Sequence, residues 1–273
     1  IFMSKLTLKH SLLCCSLFIT STHCLAWGQQ GHRVTGQIAE SYLTAQSKQQ
    51  LSAIMGAESL AESATYPDEM RASKDEFWQK TANPYHYVTL ADGEHYHNHD
   101  APDEGDAVTA LKKYTEILQN NKSSVADKQL AVRFIVHLIG DLHQPLHVSA
   151  KARDDMGGNK IKLKYFGQDS NLHKVWDSEM IDKQQLSYTE YASTLLRHIA
   201  KDEANTWSAL DVGSWIHESA KLRETSYSTA ENLSYDYNFQ HLPTVKIRLQ
   251  QAGVRIGAYL NAVFAGETIK FPK

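Results

Sequence analysis

Residues 132–147 read VRFIVHLIGDLHQPLH. His137 and Asp141 stand four apart, so they share one face of a helix. Their neighbours Ile135, Val136, Leu138, Ile139 and Leu142 are apolar, and a carboxylate in such company is costly unless it is paired or metal-bound. Pro145 ends the helix, and His147 follows six residues after Asp141. Upstream, Ser124 and Asp127 open the same helix. The segment that decides the fold therefore also carries its most conspicuous polar groups.

Outward from it, most of the chain keeps a helical period. Arg33 to Leu43 has apolar residues at helical spacing; Thr44 caps the next helix, which Gly56 ends. Ser59 and Glu62 form a capping box for a helix predicted over Leu60 to Met70. Asp106 caps Ala107 to Leu118, with Val108, Leu111, Tyr114 and Leu118 on one face. Ser187 and Glu190 open another helix, and Val245 to Phe264 is the last, amphipathic despite Gly253 and Gly257. The period changes once: Lys160 to Phe166 alternates as a strand after Gly157-Gly158, predicting a turn and a short hairpin. The loop Ala91 to Gly105, rich in His, Asp and Pro, is the longest expected excursion. The fold class expected is all-α, one mainly helical domain with a small β-hairpin excursion.

The first residues read differently. Met3 starts a stretch with Lys5 and Lys9, a short apolar run from Ser11 to Ile19, and small-residue cleavage chemistry at Leu25-Ala26: a secretory signal peptide over 1–26. The mature domain would be 27–273, beginning at Trp27, secreted or periplasmic. No stretch approaches the roughly 20 apolar residues a bilayer requires, so no membrane association is expected. Cys14, Cys15 and Cys24, the three cysteines of the chain, all lie in the leader, so an exported domain would hold together without disulfides. The formal charge of −3 becomes more negative once Lys5 and Lys9 are removed. That opposes a nucleic-acid partner, unless bound divalent cations dominate the local field.

Histidine is the compositional oddity. Of 14 in the chain, all but His10 and His23 follow the leader. His173 and Asp177 in NLHKVWD repeat the spacing of four. Asp68 in YPDEMR, His86 in PYHYV and His32 in WGQQGH are further candidates, because neutral imidazole and carboxylate are zinc ligands. A buried His–Asp hydrogen bond would account for either pair taken alone. His95, His97 and His99 form a period-two cluster that reads as a solvated loop, His143 lies off the Asp141 face, and His217 reads as structural.

Taken in order, the motifs WGQQGH (27–32), YPDEMR around Asp68, HY at His86, HLIGDLHQPLH (137–147), GGNK (157–160) and NLHKVWD (171–177) resemble the zinc-dependent single-strand nuclease family, which includes mung bean nuclease, the fungal single-strand nucleases and the plant bifunctional nucleases. The resemblance implies three Zn2+ per chain. One would be held by Asp68, His86, His137 and Asp141, a second by His147, His173 and Asp177, and a third by His32, Asp141 and the backbone amine and carbonyl of Trp27. Asp141 would bridge two of them. It further implies a phosphate contact for Arg71, base stacking on Tyr87, and substrate contact for Asn159. The implied activity is hydrolysis of single-stranded DNA and RNA to 5′-phosphate products, with nucleic acid and nucleotides as substrates and no obligate protein partner; 3′-nucleotidase activity is left open.

Two other functions are compatible with such ligands. A zinc-dependent phospholipase C shares the three-zinc architecture, but its last ligand pair is His and Glu, where this chain has His173 and Asp177. A non-catalytic, zinc-stapled binding protein would use closed sites with no open coordination position.

Overall fold

Capping residues set most of the helix boundaries. The computed structural model describes residues 27–91, 93 and 95–272; the leader expected over 1–26 lies outside them. Helix α1 (Gln29–Tyr42) begins ahead of the apolar spacing, because its first turn is largely polar. Thr44 accepts from the Ser47 N–H to start α2 (Ala45–Met55), and Gly56 ends it. The capping box of Ser59 and Glu62 is present, but it opens only α3 (Leu60–Ser63). The single helix expected to Met70 is broken into α3, α4 (Tyr66–Glu69) and a 3-10 turn at Met70–Ala72. Pro67 is the cause, since it has no N–H to give to the carbonyl of Ser63. Asp106 caps α5 (Ala107–Gln119), and Ser124 caps α6 (Val125–Leu142).

After α6 the chain builds α7 (Leu172–Lys174), a π-helical turn at Val175–Glu179 and α8 (Met180–Asp182). Then come α9 (Tyr188–Leu196), opened by Ser187 and Glu190, α10 (Lys201–Trp207), α11 (Val212–Ser226) and α12 (Tyr235–Ala265). The last helix starts at Tyr235 rather than Val245 and runs through Pro243. The carbonyl that loses a partner there belongs to Phe239, whose residue is 85% exposed, so water can serve it. Gly253 and Gly257 are packing devices: a Cβ at Gly253 would lie 2.4 Å from Ile38 Cγ2, so α12 crosses α1 closely. Among the described residues no helix is long and apolar enough to cross a membrane.

The predicted hairpin exists: β3 (Lys162–Tyr165) pairs antiparallel with β4 (Gln168–Asn171). Two features were not predicted. Strand β5 (Asn232–Leu233) adds to β3 in parallel. Strands β1 (Val88–Leu90) and β2 (Val148–Ala150) form a second, parallel pair with Val88 opposite Val148. This small pair matters for the site, because His86 and His147 sit just ahead of its two strands.

The buried apolar residues form two clusters. One joins α5, α6, α11 and the C-terminal half of α12; the other joins Trp27, the hairpin, α9 and the N-terminal half of α12. Helix α1 contributes to both, through Ala39 on one side and Val34 and Ile38 on the other.

Candidate metal centre

Helix α6 delivers His137 and Asp141 to the interior, both completely buried. The two oxygens of Asp141 face different imidazoles. Oδ1 lies 3.2 Å from His32 Nε2, and Oδ2 lies 3.1 Å from His137 Nε2 and 3.3 Å from His86 Nδ1. Asp68 Oδ1 approaches His86 Nδ1 at 3.7 Å and His137 Nε2 at 3.9 Å. Beyond them, His173 Nε2 lies 2.9 Å from Asp177 Oδ2, and His147 Nε2 lies 3.5 Å from Asp177 Oδ1.

The imidazoles are oriented from behind. The carbonyls of Ala64, His86 and Gly157 accept hydrogen bonds from Nδ1 of His137, His147 and His173 at 2.7, 2.6 and 2.7 Å. With the proton on Nδ1, each Nε2 keeps a lone pair aimed into the site, the arrangement metal-ligating histidines use. The β1–β2 pairing fixes the second of these contacts. Gly157 makes the third possible: its φ is +60°, and a Cβ there would sit 2.3 Å from the Leu146 carbonyl oxygen. Gln144, wholly buried, donates through Nε2 to Asp177 Oδ1.

What the site lacks is as informative as what it has. Among the described residues, both ring nitrogens of His32, Nε2 of His147, Oδ1 of Asp68 and both oxygens of Asp141 are buried without a hydrogen-bond partner. His86 Nδ1 and His137 Nε2 stand 2.8 Å apart. Buried anions and converging lone pairs are costly unless a cation lies among them. Three groups have ligand atoms within 4.8 Å of one another: His32, His137 and Asp141; Asp68, His86 and His137; and His147, His173 and Asp177. Nitrogen and oxygen donors in sets of this kind suit zinc.

The electrostatics point the same way. Burial alone would raise the Asp141 carboxyl, but His137, His147 and His32 outweigh it and hold it well below the usual carboxylate range. Asp68 is likewise lowered against its burial by His137, His86 and Arg71. Burial and the Arg71 guanidinium push His86 down to about 3, whereas Asp141 and Asp177 overcome burial to raise His147 to about 9. Both carboxylates are thus held as anions, and a proton on His147 occupies the lone pair that a metal would take.

The second set expected from sequence, His147, His173 and Asp177, is found as one group. The first set is divided differently: His137 belongs to two groups, and Asp141 reaches toward both. Trp27 is fully buried, and the N–H of Gly28 donates to the Asp177 carbonyl at 2.8 Å, which holds the start of the described chain beside the centre.

A cleft of about 490 Å³ opens on this centre, lined in part by Arg71, Tyr87, Asp155, Met156, Gly157 and His173. Arg71 Nε lies 3.0 Å from Asp68 Oδ1, so its guanidinium is held at the cleft wall. Tyr87 is half-buried there. Asn159 is not among the lining residues; its amide donates back to the Met156 carbonyl at 2.9 Å, within its own turn. Sequence reasoning did not single out Gln144, Asp155, or Thr89 and Ser149, whose hydroxyls meet at 3.0 Å across β1 and β2 on the cleft wall. Gln144 stands inside the HQPLH motif, the one signal that marks it.

His143, two residues past Asp141, faces away. Its Nδ1 donates to the Ile139 carbonyl at 2.7 Å, and its Nε2 accepts from Arg255 at 2.8 Å. Glu218 accepts from Arg255 at 2.6 and 2.8 Å and from Arg248 at 2.7 Å, and the Ser219 hydroxyl accepts a further bond from Arg248 at 2.7 Å. Burial, with Arg248 and Arg255 nearby, drives the His143 imidazole well below its ordinary value.

Comparison with known proteins gives this arrangement its relatives. A family model described as S1/P1 Nuclease matches residues 27–265. Endonuclease 3 of Arabidopsis thaliana is 32% identical over 89% of this chain and 90% of its own length. Nuclease P1 of Penicillium citrinum is 31% identical over 70% of this chain and 72% of its own, and Nuclease S1 of Aspergillus oryzae is 27% identical over 87% and 91%. With a match of that extent laid over these ligand groups, the chain belongs to the S1/P1 nuclease family.

Proposed function

We propose that the chain is an endonuclease that hydrolyses phosphodiester bonds in single-stranded nucleic acid at the cleft, with zinc held by the buried histidines and aspartates. The observation that carries this is the convergence of unpartnered Asp68, Asp141, His32 and His147 atoms beneath a cleft walled by Arg71 and Tyr87. When bound, zinc supplies Lewis-acid charge to a phosphodiester oxygen and lowers the pKa of the attacking water. The remaining work falls to the chain. Asp68 orients Arg71, whose guanidinium suits a phosphate. Tyr87 offers a ring face in the cleft, and stacking tolerates any base that is unpaired. Gln144 and the carbonyls of Ala64, His86 and Gly157 hold the ligands in place.

Three ions are proposed: one on His147, His173 and Asp177; one on Asp68, His86 and His137 with Asp141; and one on His32 and Asp141. The last set is completed by the Trp27 backbone if a leader over 1–26 is removed during export, because cleavage after Ala26 would free the Trp27 α-amine. The position of Gly28 beside Asp177 supports this. The test uses purified protein beginning at Trp27, assayed on single-stranded DNA, duplex DNA and phosphatidylcholine, with zinc content measured. Hydrolysis of single strands well ahead of duplex is expected. Preferential cleavage of phosphatidylcholine, or zinc without any hydrolysis, would overturn the reading. Tyr87→Ala should weaken single-strand binding by about 1–3 kcal/mol, read as a rise in Kd.

A further inference from the structure

The pairing of β1 with β2 does more than place His86 and His147. Side chains along an extended strand alternate between faces, and here the two faces have different company. Val88, Leu90 and Val148 are buried in the core. Tyr87 and Thr89 on one segment, and Ser149 and Lys151 on the other, line the cleft. Thr89 stands opposite Ser149 in the parallel register, and their hydroxyls meet at 3.0 Å. Ala150 keeps the chain extended, with φ −104° and ψ 127°, so Lys151 falls on the same face as Ser149. Lys151 is exposed. From the buried imidazoles outward, this wall presents an aromatic ring, then two hydroxyls, then an ammonium.

The charges around the cleft are unequally committed. Arg71 and Lys151 are the arginine and lysine that line it. Arg71 is held by Asp68, 3.0 Å away, beside the metal ligands. On the loop after β2, Lys160 Nζ lies 3.0 Å from Asp154 Oδ1, and Arg153 bonds Glu224 while lying 3.9 Å over the Tyr227 ring. The two carboxylates on the wall are therefore engaged, Asp154 by Lys160 and the buried Asp155 by the Tyr227 hydroxyl at 2.7 Å. No ion pair engages Lys151 among the described residues. It stands four residues on from His147, at most about 13 Å along the wall at ~3.3 Å per residue. An unneutralised lysine so placed serves a phosphate further along the strand than the one at the ligands.

Building on the nuclease reading above, we propose that this face of the β1–β2 pair holds the nucleotide next to the cleaved bond, and that Lys151 takes the phosphate on its far side. Thr89 and Ser149 bond the same nucleotide; a hydroxyl can donate or accept, so this contact carries no base preference. The consequence is selection by length. A dinucleotide has only the phosphate at the centre, whereas a tetranucleotide cut at its middle bond has a further phosphate on each side.

The test compares thymidine dinucleotide and tetranucleotide, both without terminal phosphates, as substrates for zinc-loaded protein beginning at Trp27. Wild type is expected to show the higher kcat/KM at the middle bond of the tetranucleotide. That advantage should fall with salt, one phosphate contact contributing a log–log slope of about −0.7. Lys151→Ala should remove the increment, a loss of about five-fold at about 0.1 M salt relative to 1 M, and Lys151→Arg should restore it. Dinucleotide hydrolysis, zinc content and Tm should not change in either variant. An unaltered tetranucleotide advantage and salt slope in Lys151→Ala, or an equal loss on both substrates, would overturn the assignment. Failure of wild type to cleave either substrate would instead bring down the nuclease reading, and this inference with it.

Discussion

Helix α6 feeds two buried polar clusters that behave in opposite ways. On one side, His137 and Asp141 enter a set in which Asp68, Asp141, His32 and His147 retain buried atoms with no hydrogen-bond partner among the described residues. On the other, His143 enters a set in which Arg248, Arg255, Glu218 and Ser219 answer one another. Both are rich in charge, and most of the groups in both are buried. The difference is that the second answers its charges with hydrogen bonds, whereas the first, even with Arg71 beside Asp68, leaves buried acceptors without a partner among the described residues. Burial of charge therefore does not identify a metal centre, whereas an excess of acceptors over donors does.

That contrast can be broken experimentally. The largest effect should come from chelation. Removing metal should abolish phosphodiesterase activity and lower Tm, because a ligand that binds only the folded state stabilises it. Zinc should restore both, and full activity after exhaustive chelation would end the zinc assignment. Next is Asp141→Asn, which keeps the shape and removes the charge. The expected loss of nuclease rate is at least about a hundred-fold, judged against the 10–100-fold cost of changes one shell further out. Near-normal turnover on single-stranded DNA would place the shared ligand elsewhere.

The opposite signature is expected from the satisfied cluster. Glu218→Ala strands the buried Arg248 and Arg255 and should cost about 3 kcal/mol, the lower end for a broken buried pair, because the Glu218 side chain is itself 36% exposed. Urea unfolding would read the loss, while zinc per folded molecule and kcat stay at wild-type values. A matching fall in zinc content would show that the two clusters are coupled. The smallest effect concerns His143. Its folded-state pKa is depressed, so the unfolded chain takes up the proton first. Stability is complete above the unfolded value near 6.5 and falls as pH drops below it, by about 1.4 kcal/mol per pH unit. His143→Gln removes that slope, and between about pH 6 and 5 wild type should lose about 1 kcal/mol more than the variant.

How far each cluster was legible follows from the range of its signals. Candidate ligands on helices announce themselves locally: spacings of four put His137 with Asp141 and His173 with Asp177, in apolar surroundings where a carboxylate is conspicuous. Capping residues were equally local, and Thr44, Ser59, Asp106, Ser124 and Ser187 all act as read. The arginine cluster was silent, because Arg248 and Arg255 on an amphipathic helix read as solvated charge until Glu218 and His143 are brought in from other elements. Strands β1 and β2 were silent as well. Each has three residues, too few to show alternation, and their pairing joins segments far apart in sequence. The break at Pro67 was misjudged because the capping box before it is genuine and says nothing about where its helix ends.

Gly157 puts the whole design in genetic terms. A random-mutagenesis screen for lost nuclease activity would return the histidines and aspartates, as any metalloenzyme would. It should also return Gly157, at which any side chain would press on the Leu146 carbonyl and displace the carbonyl that aims His173. Such alleles would be folded yet short of one imidazole's orientation, and no restored charge elsewhere would suppress them. Only a compensating shift of the backbone at Leu146 could.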